Sequence, residues 1–362
     1  MNIIHITHGY PPQPGGVQKV TQEIARRLVT LGHHVTVFAC AGKTKVVDDN
    51  GVQVTYLAGP ELAHTPLPFG LFSALLKVPK DSILHVHIAK AFLPEVTYFI
   101  SKLRNMPYIA HFHLDVDATG AFGFLLPFYK KIALKRVLNS AVKVIVLSEA
   151  HKEIVCHLYR LIPEKVIVVP NGVSNEFYLE KEHAREVQSL LYVGRLQAQK
   201  NLPVLVSMME YLPKSMELHI VGDGEMRSEV ERCIKDKNIT NATLHGPLYE
   251  DDLRAMYQRA DVFVLASERE GLPLVLVEAM AAGVPVVASN VSGTREFVED
   301  AGVLVESITG KDFARAIMTL VNDDELRKKL ITKAKAKAQA HDWDTIVSQI
   351  NEVYKEVQDA SS

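Results

Sequence analysis

Short runs of apolar and β-branched residues recur along the whole chain, and longer segments with apolar residues at helical spacing separate them. Apolar runs of four to eight residues between turn signals are typical of buried strands. The predicted strands span residues 3–7, 34–39, 52–57, 83–88, 108–113, 142–147 and 166–169 in the first half, and 189–193, 217–221, 242–245, 262–266, 284–288 and 303–305 in the second. Strands that alternate with helices predict βαβ units and parallel sheets. The two series therefore predict two doubly wound α/β domains.

The break between the two series falls in a polar, charge-dense stretch over residues 175–188, where apolar periodicity lapses. We predict a first domain over residues 1–178 and a second over residues 179–342. From Trp343 onward apolar residues return at helical spacing, which predicts an amphipathic helix over about residues 343–360. We expect this helix to pack back on the first domain.

Composition narrows the class of protein. The formal net charge of −2 over 362 residues argues against a general nucleic-acid binder, which would carry a basic field. Three cysteines without a CxxC spacing indicate neither a zinc knuckle nor a disulfide framework. The first residues have no basic leader, and no apolar run approaches the ~18 residues of a membrane span. We expect a cytoplasmic protein.

The most informative stretch begins at Glu270 and runs through Glu278 to Gly283. The residues from Pro273 to Ala282 predict a helix, so Glu270 lies in the turn before it. At helical spacing the two carboxylates are about 12 Å apart along the axis, whereas a glycosidase pair is separated by roughly 5 to 9.5 Å. Such a pair fits two parts of one long ligand, such as a sugar and a ribose. A dipole-favoured Glu and a solvated Glu would explain the stretch equally well.

Glycines and cations follow several predicted strands. Gly15 and Gly16 precede a helix predicted over residues 18–31, where backbone amides can meet an anion. This turn is not GxGxxG, which disfavours a nicotinamide or flavin enzyme. After the first strand of the second domain come Gly194, Arg195 and Lys200, and two cations of this kind suit a diphosphate. Solvated cations are the alternative.

Two further turns of the second domain follow predicted strands. One contains Gly222 and Asp223, and the other contains Pro247 and Leu248. The glycines in these turns would let a flat base or a phosphate approach the backbone. Ordinary turn chemistry explains both equally well.

Histidines mark one strand end of the first domain. Alternation places His111, His113 and Asp115 on one side of an extended segment. A two-histidine, one-carboxylate iron site is one interpretation, and a polar contact to a sugar is the one we prefer. His85 and His87 show the same spacing, which indicates that some of these histidines only line the cleft.

Residues 122–138 join an apolar stretch to a predicted helix with four cations. Such a segment fits contact with an anionic membrane surface, but an ordinary amphipathic helix with one solvated face is the interpretation that we prefer from the sequence.

Taken in order, these motifs resemble the retaining GT-B glycosyltransferases of family 4, and the resemblance covers nearly the whole chain. Its most specific parts are the Glu270-x7-Glu278 motif, which ends in Glu-Ala-Met-Ala-x-Gly, and the Gly194-Arg195 pair followed by Lys200. The resemblance implies two Rossmann-like domains that face each other across a cleft. The first would bind the acceptor and the second the donor, a nucleotide-diphosphate sugar, most naturally a UDP- or GDP-sugar.

The resemblance also implies roles for residues. Arg195 and Lys200 would neutralise the departing diphosphate, Glu270 would hold the transferred sugar, and His113 would contact it near the anomeric centre. Glu278 would bind the ribose. Asn201 stands where the family commonly has glycine, which would alter the turn. The expected site therefore comprises catalytic His113, Glu270, Arg195 and Lys200, with donor-binding Gly15, Gly16, Gly194, Gly222, Asp223, Pro247, Leu248, Gly271, Leu272 and Glu278.

The resemblance implies no metal and no cofactor, because the two cations would take the place of a divalent ion. The expected acceptor is a sugar, a cyclitol or a lipid-linked hydroxyl compound, and the expected reaction proceeds by front-face substitution. Two other functions fit the same motifs. A nucleotide-sugar epimerase would isomerise the donor without an acceptor, and a non-catalytic module would only bind it.

Overall fold

The computed structural model describes residues 1–62, 65–113, 126–181 and 186–360. The chain forms two compact units: residues Met1–Asn171 together with Trp343–Ser362, and residues Gly172–Asp342. Each unit is a Rossmann-like α/β domain, as the alternation of strands and helices predicts.

The first unit is built on an eight-stranded sheet with the order β10-β9-β8-β7-β1-β2-β4-β3. The strands are β1 Asn2–Thr7, β2 His34–Ala41, β3 Lys45–Asp49, β4 Val52–Ala58, β7 Ile83–Ile88, β8 Tyr108–Phe112, β9 Lys143–Val146 and β10 Val166–Val168, and β5 Glu61–Leu62 pairs with β6 Thr65–Pro66 apart from this sheet. All neighbours in the large sheet are parallel except β3, which is antiparallel to β4. The sequence does not predict β3, because an edge strand this polar lacks the apolar run of a buried one.

The helices of the first unit cover the faces of this sheet. They are α1 Gly16–Thr30, α2 Gly70–Leu75, α3 Leu93–Arg104, α4 Leu126–Tyr129, α5 Lys135–Ser140 and α6 Glu149–Tyr159, with a π-helical turn over Lys130–Leu134 between α4 and α5. One buried cluster joins alternate residues of the central strands, including Ile4, Leu84 and Ala110, to Leu93 and Ile100 of α3. Of the segment 122–138 singled out in the sequence, residues 122–125 lie outside the described residues.

The second unit contains a six-stranded, fully parallel sheet with the order β13-β12-β11-β14-β15-β16. Its strands are β11 Ser189–Val193, β12 Glu217–Val221, β13 Ala242–Gly246, β14 Val262–Leu265, β15 Val286–Ser289 and β16 Val303–Val305. Its helices are α7 Leu202–Met208, α8 Arg227–Asp236, α9 Glu250–Arg259, α10 Leu274–Ala281, α11 Arg295–Val298, α12 Gly310–Asn322 and α13 Asp324–Gln339. All six strands agree with the predicted ones to within a few residues.

The last helix, α14 Trp343–Asp359, belongs to the first unit. Its residues at helical spacing, among them Trp343, Ile350 and Tyr354, are buried. Arg27 Nε of α1 donates to Asp344 Oδ1 at 2.7 Å. The tail is amphipathic because its apolar side packs on the first unit.

The boundary between the units differs from the one drawn on the sequence. Residues 172–178 belong to the second unit, so the first unit ends at Asn171 and not at residue 178. Val173 N donates to His341 O at 2.8 Å, and the buried Phe177 ring lies edge-on to Tyr257. These contacts fix a segment that its polar composition marks as a linker.

No helix in the described ranges is long and apolar enough to cross a membrane.

Candidate active site

The polar motifs of the second unit meet at the carboxyl edge of its sheet. Strand β11 lies between β12 and β14, and the strand order reverses direction at the β11–β14 pair. In open parallel sheets such a switch point leaves a crevice between the loops that follow the two strands. Lys200 follows β11 and Glu270 follows β14, so the topology alone brings these two residues to the crevice.

An ion pair joins these two residues. Lys200 Nζ donates to Glu270 Oε1 at 2.5 Å, and their side chains are only 15% and 7% exposed. At such burial a charge without a partner is strongly unfavourable. A substitution that removes either side chain would therefore destabilise the protein. From the sequence we expected Lys200 to contact the diphosphate and Glu270 to contact the transferred sugar. In the structure the two side chains also form an ion pair with each other.

The backbone of the two loops is tied together beside the ion pair. Glu268 N donates to Gln199 O at 2.9 Å, and Gln199 Nε2 donates to Arg269 O at 2.5 Å. Asn201 has a left-handed backbone with φ of 50°. Asparagine tolerates this conformation better than other residues with a Cβ. The replacement of the common glycine by Asn201 therefore keeps a left-handed turn.

The packing of neighbouring loops requires a glycine at position 222. A Cβ at Gly222 would lie 1.9 Å from Gly194 O, and Gly222 has a φ of +132°. The same loops are joined by Leu196 N, which donates to Asp223 O at 2.9 Å. The Asp223 side chain is half exposed beside Arg227. Loop packing thus accounts for Gly222 before any ligand is considered.

Gly293 supports the turn at Glu270, and sequence reasoning missed it. It has a φ of +85°, and a Cβ there would lie 2.0 Å from Gly271 O and 2.5 Å from Glu270 O. Thr294 Oγ1 donates to Ser289 O at 2.6 Å and closes the turn that presents this glycine. The signal in the sequence is a Ser-Gly-Thr stretch shortly after a buried strand, which is typical of a turn.

Glu278 lies in α10, where the predicted helix is confirmed within one residue at each end. Tyr257 Oη donates to Glu278 Oε2 at 2.9 Å. Tyr257 is buried, and burial followed by the charge of Glu278 raises the pKa of its hydroxyl well above the ordinary value. Tyr257 is therefore a permanent donor that orients this carboxylate, and no sequence motif marks it.

The remaining donor-side residues surround this pair of loops. Arg195 is exposed, and among the described residues it has no ion-pair partner, which leaves its guanidinium open to an anion. Gly271 and Leu272 stand between Glu270 and α10. Pro247 and Leu248 follow β13, where Gly222 N donates to Gly246 O at 2.8 Å.

Two groups of predicted site residues lie in the first unit. Gly15 and Gly16 stand at the start of α1, and a Cβ at Gly16 would have open space within 4 Å. His113 directly follows β8 and is 5% exposed. Asp115, the carboxylate of the iron interpretation, lies outside the described residues.

His113 is one end of a buried histidine network on β1, β7 and β8. His113 Nε2 is hydrogen-bonded to His87 Nδ1 (2.8 Å), and His87 Nε2 to His5 Nδ1 (2.9 Å). A second row joins His111 Nδ1 to His85 Nε2 (3.2 Å) and then His85 Nδ1 to the hydroxyl of Tyr354 on α14. We expected some of these histidines only to line a cleft, and His85 and His87 do not do so, because both are fully buried within this network.

Burial keeps the histidine network neutral. It lowers the pKa of His5 and of His113 to about 3. It lowers the pKa of His85, His87 and His111 well below the ordinary value, and neighbouring histidines lower these pKa values further. Two sets of three histidines place nitrogen atoms within 4.8 Å of one another. The bonded pairs, however, have the distances of N–H···N bonds between neutral rings, so we interpret the cluster as a hydrogen-bonded network.

Comparison with known proteins supplies the family. The model of the glycosyl transferases group 1 matches residues 175–337, and the model of glycosyltransferase family 4 matches residues 14–177. An uncharacterized glycosyltransferase of Methanocaldococcus jannaschii is 29% identical over 98% of both chains. A phosphatidyl-myo-inositol mannosyltransferase of Mycolicibacterium smegmatis is 27% identical over 96% of this chain and 92% of that protein.

Among solved structures, Anabaena HepE in complex with UDP-glucose is similar with a TM-score of 0.77 and 20% identity. The match covers 98% of this chain and 100% of that chain, so the two proteins share a fold. The chain therefore belongs to the glycosyltransferases of the group 1, family 4 type and has the GT-B fold.

Proposed function

We propose that the protein transfers a sugar from a nucleotide-diphosphate sugar, a UDP- or GDP-sugar, to a hydroxyl acceptor, with retention of the anomeric configuration. The observation that carries this proposal is the Lys200–Glu270 pair at the β11–β14 switch point, with the exposed Arg195 in the same loop as Lys200. The UDP-glucose bound by the similar HepE structure supports the class of donor.

The proposed chemistry is the departure of a nucleoside diphosphate from a sugar that becomes oxocarbenium-like. Negative charge develops on the diphosphate oxygens, and fixed cations stabilise it most where water is scarce. Arg195 and Lys200 supply the positive charge. In this proposal the two side chains take the place of a metal ion. Gly15 and Gly16 would add backbone contacts from the first unit.

Glu270 and Glu278 would divide the donor between them. Glu270, with the amides of Gly271 and Leu272, binds hydroxyls of the transferred sugar, and Glu278 binds the ribose. Gly222, Asp223, Pro247 and Leu248 would surround the base and phosphates, and His113 would contact the sugar near the reacting carbon. Glu270 is bonded to Lys200 and Glu278 to Tyr257. Both carboxylates are thereby oriented for hydrogen bonding. The reaction we propose is a front-face substitution without an enzymatic nucleophile.

The acceptor would be bound by the first unit as a sugar, a cyclitol or a lipid-linked compound. The phosphatidyl-myo-inositol mannosyltransferase among the relatives, which its name links to a lipid acceptor, supports the lipid-linked class.

Thermal-shift screening against UDP- and GDP-sugars tests the donor, because a ligand that binds only the folded state raises the melting temperature. The donor that binds is then incubated with and without candidate acceptors, in buffer with and without a chelator. Transfer that needs the acceptor and survives chelation supports the proposal. Isomerisation of the donor without acceptor would indicate an epimerase, and binding without any turnover would indicate a non-catalytic module. The anomeric proton of the product reports retention or inversion.

A further inference from the structure

Three neighbouring helical segments of the first unit expose large apolar side chains at helical spacing. The residues that do so are Phe69, Phe72 and Leu76 around α2, Phe99 and Leu103 on α3, and Phe128 and Ile132 on α4 and the π-helical turn, and we call this set the apolar face. Phe128 and Ile132 are 66% and 64% exposed. A helix of a soluble domain normally turns such a stripe toward the core. Here each segment carries a second stripe that remains exposed among the described residues of its own unit.

The three segments lie side by side. The rings of Phe72 and Phe99 are 5.9 Å apart between centroids, which joins α2 to α3. Tyr129 Oη donates to Glu95 Oε1 at 2.7 Å, which joins the end of α4 to the start of α3. The exposed residues therefore belong to one surface, and extended apolar surfaces of this kind mark interaction sites.

The exposed charges on the segments that carry the apolar face have one sign. Lys77, Lys102, Lys131 and Arg136 are exposed on or directly after the same segments. Among the described residues of α2, α3 and the stretch 126–140, the one carboxylate is Glu95. It accepts hydrogen bonds from Phe92 N and Tyr129 Oη, and burial raises its pKa. The face thus presents cations without an exposed carboxylate of its own.

We propose that the apolar face docks on an anionic membrane surface. Aromatic and aliphatic side chains would enter the boundary between headgroups and acyl chains, while lysine and arginine would reach the lipid phosphates on their long stems. Clustered cations of this kind are attracted to anionic leaflets, and salt screens that attraction. Docking on a membrane does not depend on the proposed function. Its consequence does: a lipid-linked acceptor would be bound at this surface only if the proposed function is correct.

The test is cosedimentation of the full chain with vesicles in the absence of any nucleotide sugar. We expect binding to vesicles of phosphatidylcholine with phosphatidylglycerol, much weaker binding to phosphatidylcholine alone, and a decrease as salt rises from 50 to 500 mM. The double variant Phe128→Ser/Ile132→Ser should bind at least about tenfold more weakly. Lys131→Glu/Arg136→Glu should lose most of the preference for the anionic lipid.

Matched controls use exposed residues elsewhere. Val46→Ser replaces an apolar residue that is 61% exposed on β3, and Lys43→Glu reverses an exposed cation; both should bind vesicles like the unchanged protein. Equal affinity for both kinds of vesicle, or binding unchanged by the Phe128/Ile132 variant, would overturn the proposal. So would sedimentation velocity that shows a dimer which this variant converts to a monomer, because a second copy would then occupy the face. If vesicles bind but no sugar is transferred, the proposed function fails and the docking surface stands.

Discussion

The two units have the same doubly wound architecture and place their polar residues in opposite ways. In the second unit the charged groups stand in loops at the carboxyl edge of the sheet, where Lys200 and Glu270 form an ion pair. In the first unit five histidines lie inside the sheet layer and bond to one another and to Tyr354. The edge places an ion pair at the switch point of the sheet, whereas the interior accepts polar rings only when they are neutral and hydrogen-bonded. The first arrangement is the proposed donor site, and the second joins a helix to a sheet through Tyr354.

The comparison predicts that acid unfolds the first unit before the second. Above pH 6.5 the histidines are neutral in both states. Below pH 6.5 the histidines of the unfolded chain become protonated. In the folded protein His5 and His113 stay neutral down to about pH 3, because burial lowers their pKa to about 3. The free energy of unfolding should therefore fall with pH by about 1.4 kcal/mol per pH unit for each histidine.

The single tryptophan makes this effect measurable. Trp343 is buried at the start of α14, so its fluorescence reports on the first unit. His111→Phe should move the acid midpoint to lower pH, and His34→Gln, at an exposed position, should leave it unchanged. A midpoint that does not respond to the removal of a network histidine would contradict the account.

The largest expected effect on activity comes from the edge. Glu270→Gln keeps the size of the side chain and removes its charge. One carboxylate oxygen is replaced by an amide group that donates hydrogen bonds, so the transferred sugar loses a charged acceptor and Lys200 loses its ion-pair partner. We expect kcat to fall by about 100-fold or more. Glu268→Gln, at an exposed position two residues earlier, should retain nearly full activity in the same assay. Comparable losses in the two variants would mean that the loop, and not the carboxylate, is what matters.

The sequence predicts the strands of the second sheet and several candidate site residues. It does not predict the contacts that support them, for physical reasons. The β-branched runs located every strand of the second sheet, since parallel strands are buried on both faces and read as continuous apolar runs. The polar edge strand β3 gives no such signal. Motif spacing identified Lys200, Glu270 and Glu278, but the support of Gly293 and Tyr257 depends on contacts between segments far apart in sequence. The burial of the histidines likewise depends on α14, which comes from the end of the chain and packs on the first unit. No local sequence pattern near His85 or His111 indicates this contact.

Gly293 tests the support of the Glu270 turn. In Gly293→Ala the methyl group would press on Gly271 O and Glu270 O, and the positive φ adds strain. We expect a loss of about 1 to 3 kcal/mol in stability together with a raised KM for the donor. Gly32→Ala is the matched control, because Gly32 has the same φ of +85° with nothing within 4 Å. It should lose stability through backbone strain alone and keep its KM.

Tyr257→Phe should produce the smallest effect. The variant removes one hydrogen bond to Glu278 and leaves the buried ring in place. A bond of this kind contributes about 1 kcal/mol, so donor affinity should weaken by about fivefold. Tyr178→Phe removes a similar bond, to Ala338 O, elsewhere in the second unit and should leave donor affinity unchanged. Equal changes in both variants would show that Tyr257 acts only on stability.

The most direct test of the central claim is calorimetric titration of the nucleoside diphosphate, UDP or GDP, that the screen selects. Arg195→Gln and Lys200→Gln should each bind it at least about tenfold more weakly than the unchanged protein, since each loses a charge-assisted contact to phosphate. Both should bind the corresponding nucleoside, which has no phosphate, with unchanged affinity. Unchanged affinity for the diphosphate in both variants would contradict the assignment of the β11–β14 edge as the donor site.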